Sequence, residues 1–264
     1  MVRRDAPYKL SRYFRGAKGD YGPNPYPLTL SPIPSMLLEA LRDAFRLIVS
    51  LDPAVFEFAG RSVFIAGVST LIASAMGIPL GMLIAEHEFP GKRAVVVVLN
   101  TLLALPTVVV GLTVYTLLSR GGPLGNMQLL FTVPGIIIGE VFLILPIVTA
   151  FTMTAVSRTD RDVRKTALAL GADRFQALWI VFRESRFGVA AAVIAAFGRV
   201  ISEVGVATII GGNVARFTRT LTTATVWNVD MGNFSLALAL GIVLLSISLS
   251  INVLFQYIQG GGRS

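Results

Sequence analysis

The chain has 264 residues, 54% of them apolar and only 14% charged, with a mean hydropathy of +0.71 and a formal net charge of +8. Ordinary soluble domains carry roughly a quarter charged residues, so this composition excludes a soluble enzyme, a disordered chain and a coiled coil. Cysteine is absent and His87 is the single histidine, which excludes disulfides, thiolate metal sites and a multi-histidine metal centre.

Residues 1–35 hold six of the thirteen prolines and eight charges, and no apolar run follows the early basic residues. This reads as an extended or disordered tail rather than a secretory signal. Across 36–52, Glu39, Arg42, Asp43 and Arg46 share one helical face, while Leu37, Leu41, Ala44, Phe45 and Ile48 share the other. Such a helix suits the membrane–water interface or packing on protein, and Asp52-Pro53 ends it.

Five apolar runs follow, Val63–Ala85, Ala94–Ser119, Leu129–Ser157, Phe187–Asn213 and Phe234–Ile258, each between 23 and 29 residues long. A hydrocarbon core needs about 20 apolar residues as a helix, and helices satisfy their own backbone groups there. The predicted fold is therefore all-α and polytopic, a membrane domain over 53–258 with a short tail at 259–264. Gly77 and Gly81 bracket Pro79, and Gly135 and Gly139 are likewise four apart, a spacing that lets helix backbones approach in a bundle or a dimer seam. Pro106, Pro134 and Pro146 are expected to kink their helices.

One connection stands apart. Residues 158–186 carry seven basic and four acidic residues, the charge expected of a cytoplasmic loop. The pattern reads as two short helices, Asp162–Leu170 and Asp173–Phe182, joined at Gly171, with Asp173 placed to cap the second. A helical hairpin projecting from a bundle offers a knob to another protein.

Three charged residues fall inside the spans, Glu140, Arg199 and Glu203. Arg199 and Glu203 are four apart, hence on one helical face and within reach of each other. They read as a helix-stabilising ion pair, as a gate or lining of a translocation path, or as both. Glu203 repels an oxyanion, whereas Arg199, the amides near Gly211-Gly212 or the Asn213 amide attract one. Glu140 reads as an inward-facing polar contact.

The long loop resembles the coupling loop of permeases from binding-protein-dependent ATP-binding-cassette importers. Aligned at Gly171, Lys165 stands where that family's Glu-Ala-Ala pattern has its acid, and Thr166 and Ala167 stand at the two alanines. Ala172, Asp173, Arg174 and aromatic Phe175 fit the stretch that follows, while Arg183-Glu184 replaces the family's Leu-Pro. The resemblance covers roughly residues 37–258. Gly77-Ile-Pro-Leu-Gly81, the stretch Leu105-Pro106-Thr107 through Gly111, and Phe197 to Gly205 are similar to these permeases, the last most closely to tungstate-transport permeases. Gly211-Gly212-Asn213 and Thr218 to Ala224 extend that match, and molybdate and sulfate permeases share the layout less closely.

The resemblance implies a type I importer permease working as a homodimer, with two copies of an ATPase subunit and an external substrate-binding protein. It implies coupling through 165–175, and a path or gate at Arg199, Ser202, Glu203, Gly205, Gly211, Gly212 and Asn213. It also implies an oxyanion cargo, tungstate first and molybdate or sulfate next. ATP and Mg would bind in the ATPase partner, since Gly91-Lys92-Arg93 lacks the upstream glycine and the Ser or Thr of a phosphate loop.

With the long loop in the cytoplasm, the N-terminus is expected outside and the C-terminus inside the cell membrane. Inside segments then hold ten basic residues against three in the outer loops between spans. The +8 charge is matched to anionic lipid rather than to nucleic acid. An intramembrane enzyme lacks its constellation, because His87 lies outside the spans and no acidic cluster lies within one. An ion-coupled carrier is the stronger rival, distinguished by uptake without ATP.

Overall fold

A computed structural model describes residues 53–158 and 161–260, together with the isolated positions 38, 41, 42, 45, 46 and 49. The expected tail at 1–35 lies outside the described residues, as does most of the expected interfacial helix. Of the latter, Leu38, Leu41, Arg42, Phe45, Arg46 and Val49 are described, helical and exposed.

The described residues contain nine α-helices and one 3₁₀ turn and no strand. The first, α1, runs Pro53–Glu86 and is about 51 Å long at 1.5 Å per residue. It exceeds a hydrocarbon core of about 30 Å, so its ends reach both interfaces. The expected first span, Val63–Ala85, is its C-terminal two thirds.

The expected second span, Ala94–Ser119, is not one helix. It forms α2, Lys92–Leu103, and α3, Thr107–Leu118, which meet at 101°. Pro106 has no N–H to continue α2 and disfavours helical geometry at Leu105. The chain closes α2 with tighter bonds from the Ala104 and Leu105 amides to the Thr101 and Leu102 carbonyls. The Pro106 carbonyl then accepts from Val109 and Val110 to open α3.

A 3₁₀ turn, Gly125–Met127, precedes α4, Val133–Ser157. The expected third span opened at Leu129, but the Thr132 side chain accepts the Gly135 amide and caps the helix four residues later. Pro134, expected to kink the span, lies in this first turn, where its missing N–H removes no bond. The charged hairpin follows as α5, Arg161–Ala169, and α6, Arg174–Ile201. No separate helix ends at Phe182, because α6 continues through Arg183–Arg186 and becomes the fourth span. That span is itself broken, since α7, Gly205–Gly211, leaves α6 at 56°. The expected fourth–fifth connection contains α8, Leu221–Asp230, an element the sequence pattern did not announce, and α9, Phe234–Gly260, is the last span. Among the described residues three helices are long and apolar enough to cross a membrane, and up to five spans result when each bent pair is taken as one.

The centre of the bundle is α4, the most deeply buried of the three long apolar helices, whereas α9 is the least buried of them. Its most extensive partner is α1. Between lipid-facing helices there is no hydrophobic driving force, so such contacts depend on close van der Waals approach. Gly81 supplies it. A β-carbon there would stand 2.6 Å from the Thr149 carbonyl oxygen and 2.8 Å from Thr152 Cβ. Gly77, one turn earlier, faces Val148 in the same way, and Pro79 points outward between them. The Gly77/Gly81 pair is thus a seam within the chain. The core joins Ile65 and Ala73 of α1, Val114 and Leu118 of α3, Ile144 and Val148 of α4, Val200 of α6 and Ile210 of α7. Leu245, Leu249, Val253 and Leu254 leave α9 on the outside.

Replacing Gly81 with alanine is expected to lower the thermal unfolding midpoint of the purified protein, at a cost of about 1–3 kcal/mol for overpacking against backbone. Gly60→Ala, where nothing lies within 4 Å of the added carbon, is expected to leave the midpoint unchanged or raise it. Equal effects at the two positions would refute the seam.

Candidate functional site

Two regions carry the residues singled out by sequence. The first is the hairpin. After α5, Gly171 takes a left-handed φ of +90°, the Ala172 amide donates to the Ala167 carbonyl, and the Gly171 amide donates to Leu168. These two bonds form a glycine-ended helix terminus. Asp173 then opens α6 with a reciprocal cap: its Oδ1 accepts from the Gln176 amide at 2.8 Å, and Gln176 Oε1 accepts from the Asp173 amide at 3.0 Å. The turn is therefore held in one shape by backbone and cap.

Ala167 is buried, while Lys165, Thr166, Asp173, Arg174 and Phe175 are exposed and Ala172 is half-buried. Leu170 and Phe175 are 83% and 78% exposed, and Trp179, stacked on Phe182, extends the same apolar surface along α6. Leu170 and Trp179 are the additions that sequence matching missed; large apolar residues beside a polar turn were the available sign. Exposed apolar side chains on a charged hairpin are characteristic of interaction surfaces rather than of solvated loops. The hairpin is tied back to the bundle through Arg164, whose Nε lies 3.1 Å from Glu86 Oε2 at the end of α1.

The second region is where the two broken spans meet. Gly205, first residue of α7, lies so close to Thr107, first residue of α3, that a β-carbon would stand 2.7 Å from the Thr107 hydroxyl. Between α6 and α7 the backbone loses its helical bonds, and in hydrocarbon those groups require protein partners. Glu203 provides them. Its Oε1 accepts from the Gly205 amide at 2.7 Å and the Val206 amide at 3.3 Å, and its Oε2 accepts from Arg199 Nη1 at 2.6 Å. The Glu203 carbonyl accepts from the Thr222 hydroxyl at 2.8 Å. Glu203 is buried, whereas about a third of the Arg199 side chain is exposed. The negative carboxylate also sits at the start of α7, where helix amides favour it. Ser202 is exposed and its hydroxyl turns back to the Gly198 and Arg199 carbonyls.

Gly211, Gly212 and Asn213 do not join this cluster. Gly211 packs on Ile136, and Gly212, at φ +67°, receives the Phe131 ring. The Gly212 amide donates to the Thr208 carbonyl, and Asn213 Oδ1 accepts from Arg219 Nε at 3.0 Å. The Gly212 amide, one of the groups the sequence offered to an oxyanion, and the Asn213 side-chain oxygen are engaged within the chain. The loop behind them is pinned by Arg61, whose guanidinium donates to the Arg219 and Arg216 carbonyls at 2.7 and 2.8 Å. Arg219 in turn lies over the Trp227 ring, 5.2 Å from its centroid. Sequence reading missed this Arg61 anchor, because it joins residues more than 150 positions apart.

Comparisons with known proteins place this geometry. A family profile described as "Binding-protein-dependent transport system inner membrane component" matches residues 77–261. The tungstate uptake system permease protein TupB of Peptoclostridium acidaminophilum is 38% identical over 223 residues, which is 84% of this chain and 98% of that protein. A probable anion ABC transporter permease protein of Haloferax volcanii is 38% identical over 73% of this chain and 85% of its own length. Among solved structures, a bacterial ABC transporter involved in the import of the acidic polysaccharide alginate shares the fold, with a TM-score of 0.71 and 18% identity over 88% of this chain and 90% of that one.

Glu203→Gln keeps one acceptor for the Gly205 and Val206 amides, whereas Glu203→Ala strands both amides and Arg199. The alanine variant is expected to lose more stability, about 1–3 kcal/mol for each stranded buried donor. Thermal unfolding of the two purified variants measures the difference, and matching losses would show that the cap does not hold the break.

Proposed function

Since the chain belongs to the family of binding-protein-dependent transport system inner membrane components, we propose that it is the permease subunit of an importer that moves tungstate into the cytoplasm. The observation that carries the cargo is the 38% identity to a tungstate uptake permease over 98% of that protein's length. Permeases named for sulfate and for molybdate/tungstate are similar at lower identity, 26% and 27%. That order favours tungstate within a shared oxyanion chemistry.

In this reading two copies of the chain form the conduit, and two ATPase subunits bind ATP and Mg and supply the energy. An external binding protein delivers the anion. The long loop lies in the cytoplasm, the N-terminus outside and the C-terminus inside. The exposed surface of Lys165, Thr166, Leu170, Arg174, Phe175 and Trp179 docks on the ATPase, with Ala167, Gly171, Ala172 and Asp173 fixing its shape. Because α6 is continuous from Arg174 to Ile201, about 42 Å, a displacement of the hairpin reaches the helix break as the movement of one rod. At the break, Arg199, Ser202, Glu203 and Gly205 form the gate, with Gly211, Gly212 and Asn213 bracing it. Alternating access is then a two-state equilibrium biased by the partner's nucleotide cycle, with no covalent chemistry in this chain.

Membrane vesicles holding the complete complex test this reading. Tungstate uptake is expected to need ATP and the binding protein and to be competed more strongly by molybdate than by sulfate. Uptake driven by an ion gradient without ATP would overturn it. Arg199→Gln is expected to abolish uptake while the complex still co-purifies, and uptake at the unmodified rate would remove Arg199 from the gate.

A further inference from the structure

Glu140 is not used by any of the arrangements above, yet it is 1% exposed in the N-terminal third of α4, and its Oε2 has no hydrogen-bond partner. An unmatched carboxyl at such depth is expensive, and charged groups inside membranes pair or serve a function. Glu140 lines a cavity together with Ser62 of α1, Glu203 after α6, and Thr220 and Thr222 at the start of α8. Its space, about 10 Å³ for the centre of a water-sized body, is the room one such body takes.

The hydrogens around that space are already committed. The Ser62 hydroxyl donates to the Phe58 carbonyl, and its oxygen accepts from the Leu221 amide. The Thr222 hydroxyl donates to the Glu203 carbonyl. The Thr220 hydroxyl oxygen lies 2.8 Å from that of Thr222 and 3.2 Å from that of Thr223, so with the Thr222 hydrogen spent, the Thr220 hydrogen has two acceptors within its own turn. Glu203 is an acceptor at both oxygens. The polar groups that share the cavity with Glu140 therefore offer it lone pairs, and the rest of the lining, Ile65, Ile136, Val200, Ile201 and Ala207, is apolar.

The charges point the same way. The nearby charged side chains are Arg199 and Glu203, and they already neutralise each other at 2.6 Å. The other polar lining groups, Ser62 from α1 and Thr220 and Thr222 before and in α8, carry none, and α7 contributes Ala207. Hydroxyl and carboxylate lone pairs within an otherwise apolar lining, together with one carboxyl whose Oε2 is unpartnered, make a site for a small positive charge. We propose that this cavity binds one small monovalent cation, either a proton carried by Glu140 or a bare sodium ion held by Glu140 and the hydroxyl oxygens. The bound charge clamps α4 to the break between α6 and α7. This inference stands on the cavity alone and does not depend on the cargo.

The full chain, purified and placed in lipid nanodiscs, provides the test in two arms. In the first, thermal unfolding is followed in sodium chloride and in N-methylglucamine chloride at equal ionic strength and pH. In the second, infrared spectra in H₂O and D₂O are searched for the carbonyl stretch of a protonated buried carboxyl. A saturable rise of the midpoint with sodium, lost in Glu140→Gln, establishes the sodium form. A protonated-carboxyl band that is absent from Glu140→Gln, with no sodium response, establishes the proton form. Glutamine supplies its own N–H donors to the lone pairs, so this variant is expected to assemble. Should it not, Glu140→Asp keeps the carboxyl at shorter reach and must shift the band or weaken the sodium response. An ionised carboxylate with neither response, or a response that survives the loss of Glu140, overturns the site.

Discussion

The carboxylate of Glu203 holds the arrangement on which the rest of the molecule depends. A helix that stops within a bilayer exposes amides and carbonyls that no solvent can satisfy. Glu203 accepts from the first amides of α7 and from Arg199, while its own carbonyl takes the Thr222 hydroxyl. One residue thereby ties the end of α6, the start of α7 and the start of α8 together. Without those bonds the 56° turn would carry unpaired backbone in a low-dielectric setting, where each loss is felt in full.

That turn meets a second discontinuity of different origin. The 101° bend between α2 and α3 is dictated locally by Pro106, whereas the α6–α7 turn has no proline and is held by side-chain bonds. Gly205 lets the two come together at Thr107. A proline-made break is fixed in the chain, but one held by an ion pair and a cap has an alternative in the pairing itself. The α6–α7 turn thus depends on side-chain bonds that the proline-made bend does not need, and α6 joins it directly to the exposed hairpin surface.

Much of this was legible in the sequence. The hairpin turn at Gly171 and its cap at Asp173 rest on local chemistry, and glycine at a left-handed φ and an aspartate at a helix start read the same in isolation as in the fold. The i,i+4 spacing of Arg199 and Glu203 likewise places them together on any helix. Less legible was where helices begin and end. Pro134 opens α4 instead of bending it because Thr132 caps ahead of it, and the polar Arg183–Arg186 stretch stays helical because α6 runs straight out of the bundle. Local polarity does not distinguish a loop from a helix that leaves the membrane.

The sequence by itself determined a lipid-embedded, all-helical chain with one charged hairpin, because apolar run length, capping and charge placement act within a few turns of chain. Only the tertiary structure decided that Gly81 is a seam against Thr149 and Thr152, that the breaks after Leu103 and Ile201 meet, and that Glu140 shares a cavity with Ser62, Thr220 and Thr222. Those relations join residues tens of positions apart. Close packing and low dielectric give them their energy, and neither exists until distant helices are brought into contact.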